Sequence, residues 1–149
     1  MKSKAPFAAA LLGLCFTPSS PAAQAPHSPE ELEKAATHIV VGRVTKVDVK
    51  LVLAPRGHGL GFRDRRYALQ IKIESAPKGA DIAAGDTITV HAWRPARSLR
   101  PRPPGPQGHY PLPAEGDKVK VFLKKQDDQY QVIHPNGFEP LDAAPRKGG

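Results

Sequence analysis

The arginines of this sequence are concentrated in two segments, and this is its strongest chemical signal. One group falls between the first two predicted strands and the other in a proline-rich stretch. The two groups are Arg56, Arg63, Arg65 and Arg66, and Arg94, Arg97, Arg100 and Arg102. A guanidinium presents a planar fork of donors that suits phosphate and carboxylate oxygens. Lysines lie instead on the outward strand faces, where they protect strand edges. The pattern predicts a site for a polyanion.

Two aromatic residues flank the second segment and predict stacking platforms for a base or a sugar. The full candidate ligand-binding set is Arg63, Arg65, Arg66, Trp93, Arg94, Arg97, Arg100, Arg102 and Tyr110. Asp127 and Asp128 occupy the last hairpin turn, where a nucleic-acid site would need positive charge. An anionic polysaccharide or another anionic envelope component therefore fits better than nucleic acid.

The proline-rich stretch, residues 94–117, leaves other interpretations open. It holds seven prolines, which favour an extended, stiff conformation. It could therefore be a spacer that binds nothing. The chain could also be a protein-interaction module that uses a strand edge or the PxxP-like run from Pro101 to Pro113. Binding to a polyanion should weaken steeply with salt, whereas strand or proline recognition should not.

The histidines provide a third hypothesis, a metal site. No two of them have the spacing of a local ligand pair. Closure of a barrel could nevertheless bring together His91, His109 and His134. The sequence contains no G-x-S-x-G or P-loop motif, and its one cysteine lies near the amino terminus. We therefore predict a non-enzymatic protein without a cofactor.

Residues 1–25 have the order of an export signal: a basic start, a short apolar core and small residues before Pro26. The apolar run is too short to span a bilayer. Cys15 lies within this segment, so the mature chain would contain no disulfide. Loss of Lys2 and Lys4 lowers the formal net charge from +8 to +6. We expect a secreted or periplasmic protein without a transmembrane segment after cleavage.

The remaining chain predicts a mainly β domain over residues 26–142, followed by a disordered tail at 143–149. Ser28, Pro29 and Glu31 form the start of a short helix with a capping box. Five strand-like runs follow, at 38–53, 67–74, 87–93, 118–125 and 129–135. Alternation in the second, third and fourth runs predicts the core-facing residues Tyr67, Leu69, Ile71, Ile73, Ile88, Val90, Ala92, Val119, Val121 and Leu123. In the first run the apolar residues change parity, which predicts a bulge near Thr45 and Lys46 that would let Val49 and Leu51 face the core.

Five short strands cannot hide their edges in a flat sheet, so we predict a small, OB-like barrel. The long proline-rich loop would connect strands three and four, where an OB-type barrel usually has a helix. Four segments carry a resemblance to known domains. They are AATHIVVGRVTKV, YALQIKIESAPKG, GDTITVHAW and EGDKVKVFLKKQDDQYQVI.

Over Ala35 to Ile133 these segments resemble the secreted OB-like domains of the TIMP/netrin (NTR-like) type. The chain is also similar to small exported bacterial proteins of an uncharacterised family. The resemblance implies a fold and no activity. Protease inhibition in the TIMP proteins needs an N-terminal cysteine and disulfides, and the sequence after the predicted signal contains no cysteine.

Overall fold

The computed structural model of the chain describes residues 24–55, 61–102 and 107–142. Most of the predicted signal peptide and the whole predicted tail lie outside these ranges, as does Arg56. No helix within the described ranges is long and apolar enough to cross a bilayer.

The predicted helix forms over Pro29–Ala35 and is named α1. The Ser28 hydroxyl accepts a hydrogen bond from the Glu31 amide, and the Glu31 carboxylate accepts one from the Ser28 amide, so the capping box is complete. Leu32 packs in a small apolar cluster with Phe122 of the barrel wall. The helix is thereby held against the outer surface of the barrel.

All five predicted strands are present, and a sixth follows them. The strands are β1 (His38–Leu53), β2 (Arg63–Lys78), β3 (Thr87–Pro95), β4 (Lys118–Gln126), β5 (Gln129–Val132) and β6 (Phe138–Asp142). The prediction of five strands was therefore one short. In β6 only Phe138 is buried, and Pro140 interrupts the strand pattern, so the sequence signal is weak.

The strands close into a five-stranded barrel. Their order is β1-β2-β3-β5-β4, and β4 pairs again with β1. All pairings are antiparallel except the short one between β3 and β5. β6 adds to β4 outside this ring. The predicted small OB-like barrel is confirmed, and the long connection between β3 and β4 has no helix or strand in its described parts, 96–102 and 107–117.

β1 has to bend because it pairs with two neighbours. Its first part, His38 to Arg43, bonds to β4, while β2 follows it along nearly its whole length. The register slips between Val44 and Lys46, so Thr45 is an extra residue and the predicted bulge is confirmed. Gly42 lies nearby, and a side chain there would collide with the backbone carbonyl of Lys72 on β2.

The barrel interior is filled by alternate residues of the strands, as the sequence predicts. The largest contributors are Val40, Val44, Leu69, Ile71, Ile73, Val90, Val119, Val121 and Leu123. One expectation is wrong: Val49 and Leu51 are about half exposed. The β1–β2 hairpin continues beyond the end of the barrel, so the inward face of β1 has no opposing wall there.

We predict that Gly42→Ala lowers the free energy of unfolding by about 1–3 kcal/mol, because the added methyl group must displace the β2 backbone. Urea denaturation at neutral pH measures the change. Thr89→Ala, at an exposed position of β3, is the control and should cost no more than about 0.5 kcal/mol. Equal stability of the two variants would contradict this account of β1 bending.

Candidate functional site

The candidate arginines gather at one end of the barrel, which we call the basic end. Arg63, Arg65 and Arg66 are among the first residues of β2, and Arg94 lies in β3, so the prediction that they belong to loops is wrong. The cause is the length of the β1–β2 pairing, which continues to Leu53 opposite Arg63. Five of the arginines have exposed side chains, and these are Arg63, Arg65, Arg66, Arg97 and Arg100.

The first depression at the basic end is a groove of about 530 Å³ between the β1–β2 hairpin and the segment after β3. Its lining includes Leu51, Phe62 and Leu99 together with Arg63, Arg97 and Arg100. Apolar side chains and three guanidinium groups therefore share one open surface. Such a surface can bind an anionic ligand that also has an apolar part.

The second depression is a cleft of about 340 Å³ on the outer face of β2, β3 and β5. Arg66 and Trp93 are direct cross-strand partners, and His91 and Gln131 face each other across the β3–β5 pair. All four line the cleft. OB folds bind oligonucleotides and oligosaccharides on the corresponding face. The cleft offers one cation, the partly exposed aromatic rings of Tyr67 and Trp93, and several neutral hydrogen-bonding groups.

Most of the Arg102 side chain is buried. Its Nη1 lies 3.0 Å from Oδ1 of Asp64, which is completely buried, and its Nη2 donates to the Arg63 carbonyl at 2.6 Å. The guanidinium also lies 5.0 Å from the centre of the Phe62 ring. These contacts fasten the proline-rich segment to β2. Of the predicted ligand-binding arginines, Arg102 has the most evident structural role.

Arg94 and Tyr110 form a second internal attachment. The Nε of Arg94 donates to the His109 carbonyl at 2.8 Å, and its guanidinium lies 5.1 Å from the centre of the Tyr110 ring. The Tyr110 amide donates to the Pro135 carbonyl at 2.8 Å. Tyr110 is nevertheless 74% exposed, so one ring face or edge can still meet a ligand.

His109 is buried beneath this attachment and bonds to backbone groups on both sides. Its Nε2 lies 3.0 Å from the Val132 carbonyl, and its Nδ1 lies 3.1 Å from the Trp93 amide. This pattern fits a neutral ring with the proton on Nε2. Burial lowers the pKa of His109 below its ordinary value, and the positive charges of Arg94 and Arg66 lower that pKa further.

Two of the three histidines proposed as metal ligands come together, but the third does not complete a site. The rings of His109 and His134 lie 5.3 Å apart, and His134 stacks on Trp93 at 5.7 Å. His91 lies in the outer cleft. Across the described residues, no group of three or more His, Cys, Asp or Glu side chains is arranged to hold a metal ion. The backbone contacts of His109 also occupy both of its nitrogens.

The PxxP-like run is not one exposed ligand. Residues 103–106 lie outside the described ranges, and Pro113 is buried whereas Pro101 is exposed. The Gly108 φ angle is +79°, and a side chain there would collide with the Trp93 carbonyl. Residues 108–113 are therefore packed on the barrel, whereas residues 96–101 line the groove.

The structure contains a polar network at the amino-terminal end of β1 that the sequence did not predict. The Thr37 hydroxyl lies 2.8 Å from Nδ1 of His38, whose Nε2 lies 2.6 Å from the Asp81 carboxylate. That order resembles the hydroxyl–imidazole–carboxylate relay of hydrolases. The hydroxyl, however, accepts a hydrogen bond from the Lys125 amide and also contacts the Leu123 carbonyl, so it fastens β4 to the start of β1.

Asp81 is the centre of that network. The ammonium group of Lys125 and the imidazole of His38 hold the pKa of Asp81 well below its ordinary range. Tyr130 donates a further hydrogen bond to the same carboxylate at 3.2 Å. The residue in the sequence that hints at this network is Gly79, after Lys78. Its φ angle is +109°, and its lack of a side chain leaves room for the His38 ring. We interpret the network as a structural clamp.

We predict that Arg102→Ala lowers the free energy of unfolding by about 3 kcal/mol, because it removes the cation beside a buried carboxylate. Arg100→Ala is the matched control in the same segment, since Arg100 is exposed, and it should cost at most about 0.5 kcal/mol. Chemical denaturation of both variants measures the difference. If Arg102→Ala were as stable as Arg100→Ala, the attachment to Asp64 would be unimportant.

We predict that acidification destabilises the protein through His109. Its pKa is lower in the folded than in the unfolded chain, so between these two values the unfolded chain binds more protons. The stabilising contribution is complete above the ordinary pKa of about 6.5 and is lost as the pH falls towards the folded-state value. His109→Gln keeps a donor for Val132 and cannot titrate, so its stability should change less between about pH 7.5 and 5.5. Parallel pH profiles of variant and parent would contradict this.

The comparisons with known proteins do not assign a function. No family model, no curated protein and no solved structure matches this chain. A small barrel of this kind supports many unrelated activities, so the fold alone does not select one. The chemistry of the basic end is therefore the basis for a functional proposal.

Proposed function

We propose that this chain is an exported, non-enzymatic binding module that captures an anionic polysaccharide or another anionic component of the cell envelope. The basic end is the binding surface. The exposed arginines supply the attraction, and Trp93 and Tyr110 supply flat surfaces for sugar rings. The proposal combines the export signal expected from the sequence with the chemistry of the two depressions.

The observation that carries the proposal is the distribution of charge. Residues 61–67 and 91–102 contain seven arginines and a single acidic residue, Asp64. Without Lys2 and Lys4, the chain's 22 basic residues fall to 20, against 14 acidic residues. The basic end and the whole mature chain therefore each carry a formal net charge of +6. A surface of one sign attracts oppositely charged polymers and accelerates their association.

The one acidic group at this end does not weaken the surface field much. Asp64 is buried and paired with Arg102, whose charge it offsets. Nearby on β1, Lys46 pairs with Asp48 at 2.8 Å, so these two charges also offset each other. The five exposed arginines remain as the net positive surface.

The cleft adds features that suit a sugar polymer. Trp93 is half-buried and stacked on His134, so its indole ring is held in one orientation. Gln129 and Gln131 on β5 line the same cleft and can donate or accept hydrogen bonds. A fixed ring flanked by neutral polar groups and one arginine can bind a charged saccharide with little loss of side-chain freedom.

We predict that heparin, used as a model polyanion, quenches the fluorescence of Trp93, the single tryptophan. Raising the salt concentration from about 50 to about 200 mM should weaken binding roughly 100-fold if about four charges are engaged. Salt-independent binding, or no binding at low salt, would contradict the proposal.

A matched pair of triple variants separates the basic end from general positive charge. Arg63→Ala/Arg97→Ala/Arg100→Ala should weaken heparin binding at least about tenfold. Lys34→Ala/Lys72→Ala/Lys124→Ala removes the same charge from exposed positions elsewhere and should change it no more than about threefold. Equal losses in the two variants would mean that heparin responds only to net charge.

A further inference from the structure

A row of exposed aliphatic side chains runs beside the arginines of the basic end. Val49, Leu51 and Leu53 are 51%, 52% and 74% exposed. They alternate along β1 and therefore point to the same face of the strand. We call these three residues the apolar stripe. A contiguous apolar surface of this kind on a soluble protein usually marks a binding site.

The apolar stripe continues the barrel core past the end of the barrel. Val47, the preceding residue on the same face, packs against the core, and so does Tyr67, the cross-strand partner of Val49 on β2. Beyond Val49 the β1–β2 pairing persists to Leu53, but the pairing of β1 with β4 is confined to residues 38–43. The stripe is thus a core-type face without a covering layer among the described residues.

Arginines border this stripe at close range. Arg65 is the direct cross-strand partner of Leu51, and Arg63 is the partner of Leu53. Opposite partners on one face of an antiparallel pair lie about 5 Å apart. Leu99, whose side chain is fully exposed, and Leu51 also line the groove with Arg97 and Arg100. Apolar and cationic groups therefore alternate over one surface.

We propose that the anionic partner is a phospholipid bilayer, and that the basic end docks on its surface. The apolar stripe and Leu99 enter the interfacial region, and the surrounding guanidinium groups pair with headgroup phosphates. This inference rests on the proposed function and specifies its ligand. It adds a role for aliphatic side chains that a soluble polysaccharide would leave exposed to water.

Charge complementarity argues for a bilayer. A membrane surface rich in anionic lipid attracts clusters of Lys and Arg, and it accepts apolar side chains a few ångströms away at the acyl boundary. The basic end presents both kinds of group at the spacing of neighbouring strands. Guanidinium groups pair with phosphate through two parallel hydrogen bonds, which favours the headgroup as their partner.

The first test measures binding of the full chain to phosphatidylcholine vesicles with and without about 30% phosphatidylglycerol. We expect binding only to the anionic vesicles. Leu53→Ser and Leu51→Ser should each weaken it at least about fivefold. Leu53 is not part of the groove lining, so Leu53→Ser should also leave heparin affinity unchanged within about twofold. Leu141→Ser is the matched control, because Leu141 is 42% exposed on β6, which pairs with β4 on the edge opposite to β1. It should bind both probes like the parent protein.

The second test measures whether the end of the apolar stripe enters the acyl region of the bilayer. In a Trp93→Phe background, Leu53→Trp places an apolar fluorophore at the end of the stripe, and Leu141→Trp serves as control. Brominated acyl chains in the anionic vesicles should quench the first tryptophan and leave the second unquenched. This readout does not depend on any loss of stability, because both positions are exposed.

Two outcomes would overturn the inference. Leucine variants that bind anionic vesicles like the parent protein, with no quenching of Leu53→Trp, would show that lipid insertion does not occur. A concentration-dependent dimer that Leu53→Ser dissociates would assign the stripe to a second copy of the chain. In either case heparin binding can persist, so the proposed function would stand. If the parent protein bound neither heparin nor anionic vesicles, the proposed function itself would be wrong.

Discussion

The structure depends on one strand, β1, which must pair with two neighbours at once. Its first residues close the barrel against β4, and its full length bonds to β2. The extra residue at Thr45 and the missing side chain at Gly42 allow the bend that these two pairings require. The β4 pairing ends at Arg43, and Val47 is the last residue of β1 that packs against the core. The part of β1 after Val47 therefore extends past the barrel while still paired with β2. The basic end exists because of this overhang.

The arginines at the basic end fall into two groups, those that attach the proline-rich segment to the barrel and those that are exposed. The described parts of the proline-rich segment between β3 and β4, 96–102 and 107–117, contain no helix or strand, so side chains must attach them to the barrel. Arg102 does this through buried Asp64, and Arg94 does it through the His109 carbonyl. Fastening the segment in two places brings Arg97 and Arg100 to the groove. Structural and exposed arginines are therefore neighbours in sequence but have different partners.

Much of the fold follows from local patterns, whereas the site follows from them only in part. Alternation predicted the buried faces of β2, β3 and β4, and the change of parity predicted the bulge in β1. The same pattern misplaced Leu51, because periodicity shows which residues share a face and not whether another strand covers that face. β6 was missed since a short edge strand with Pro140 has little periodic signal.

The sequence by itself determined the mainly β class, the capped helix, the two-residue turn at Asp127 and Asp128, and the excess of arginine in two segments. These features depend on neighbouring residues, whose influence is local. Only the tertiary structure decided which arginines are exposed, that Asp64 is the buried partner of Arg102, and that apolar residues of β1 border the cations. Those outcomes depend on contacts between residues about 40 positions apart, such as Asp64 and Arg102, and no local pattern encodes such distances.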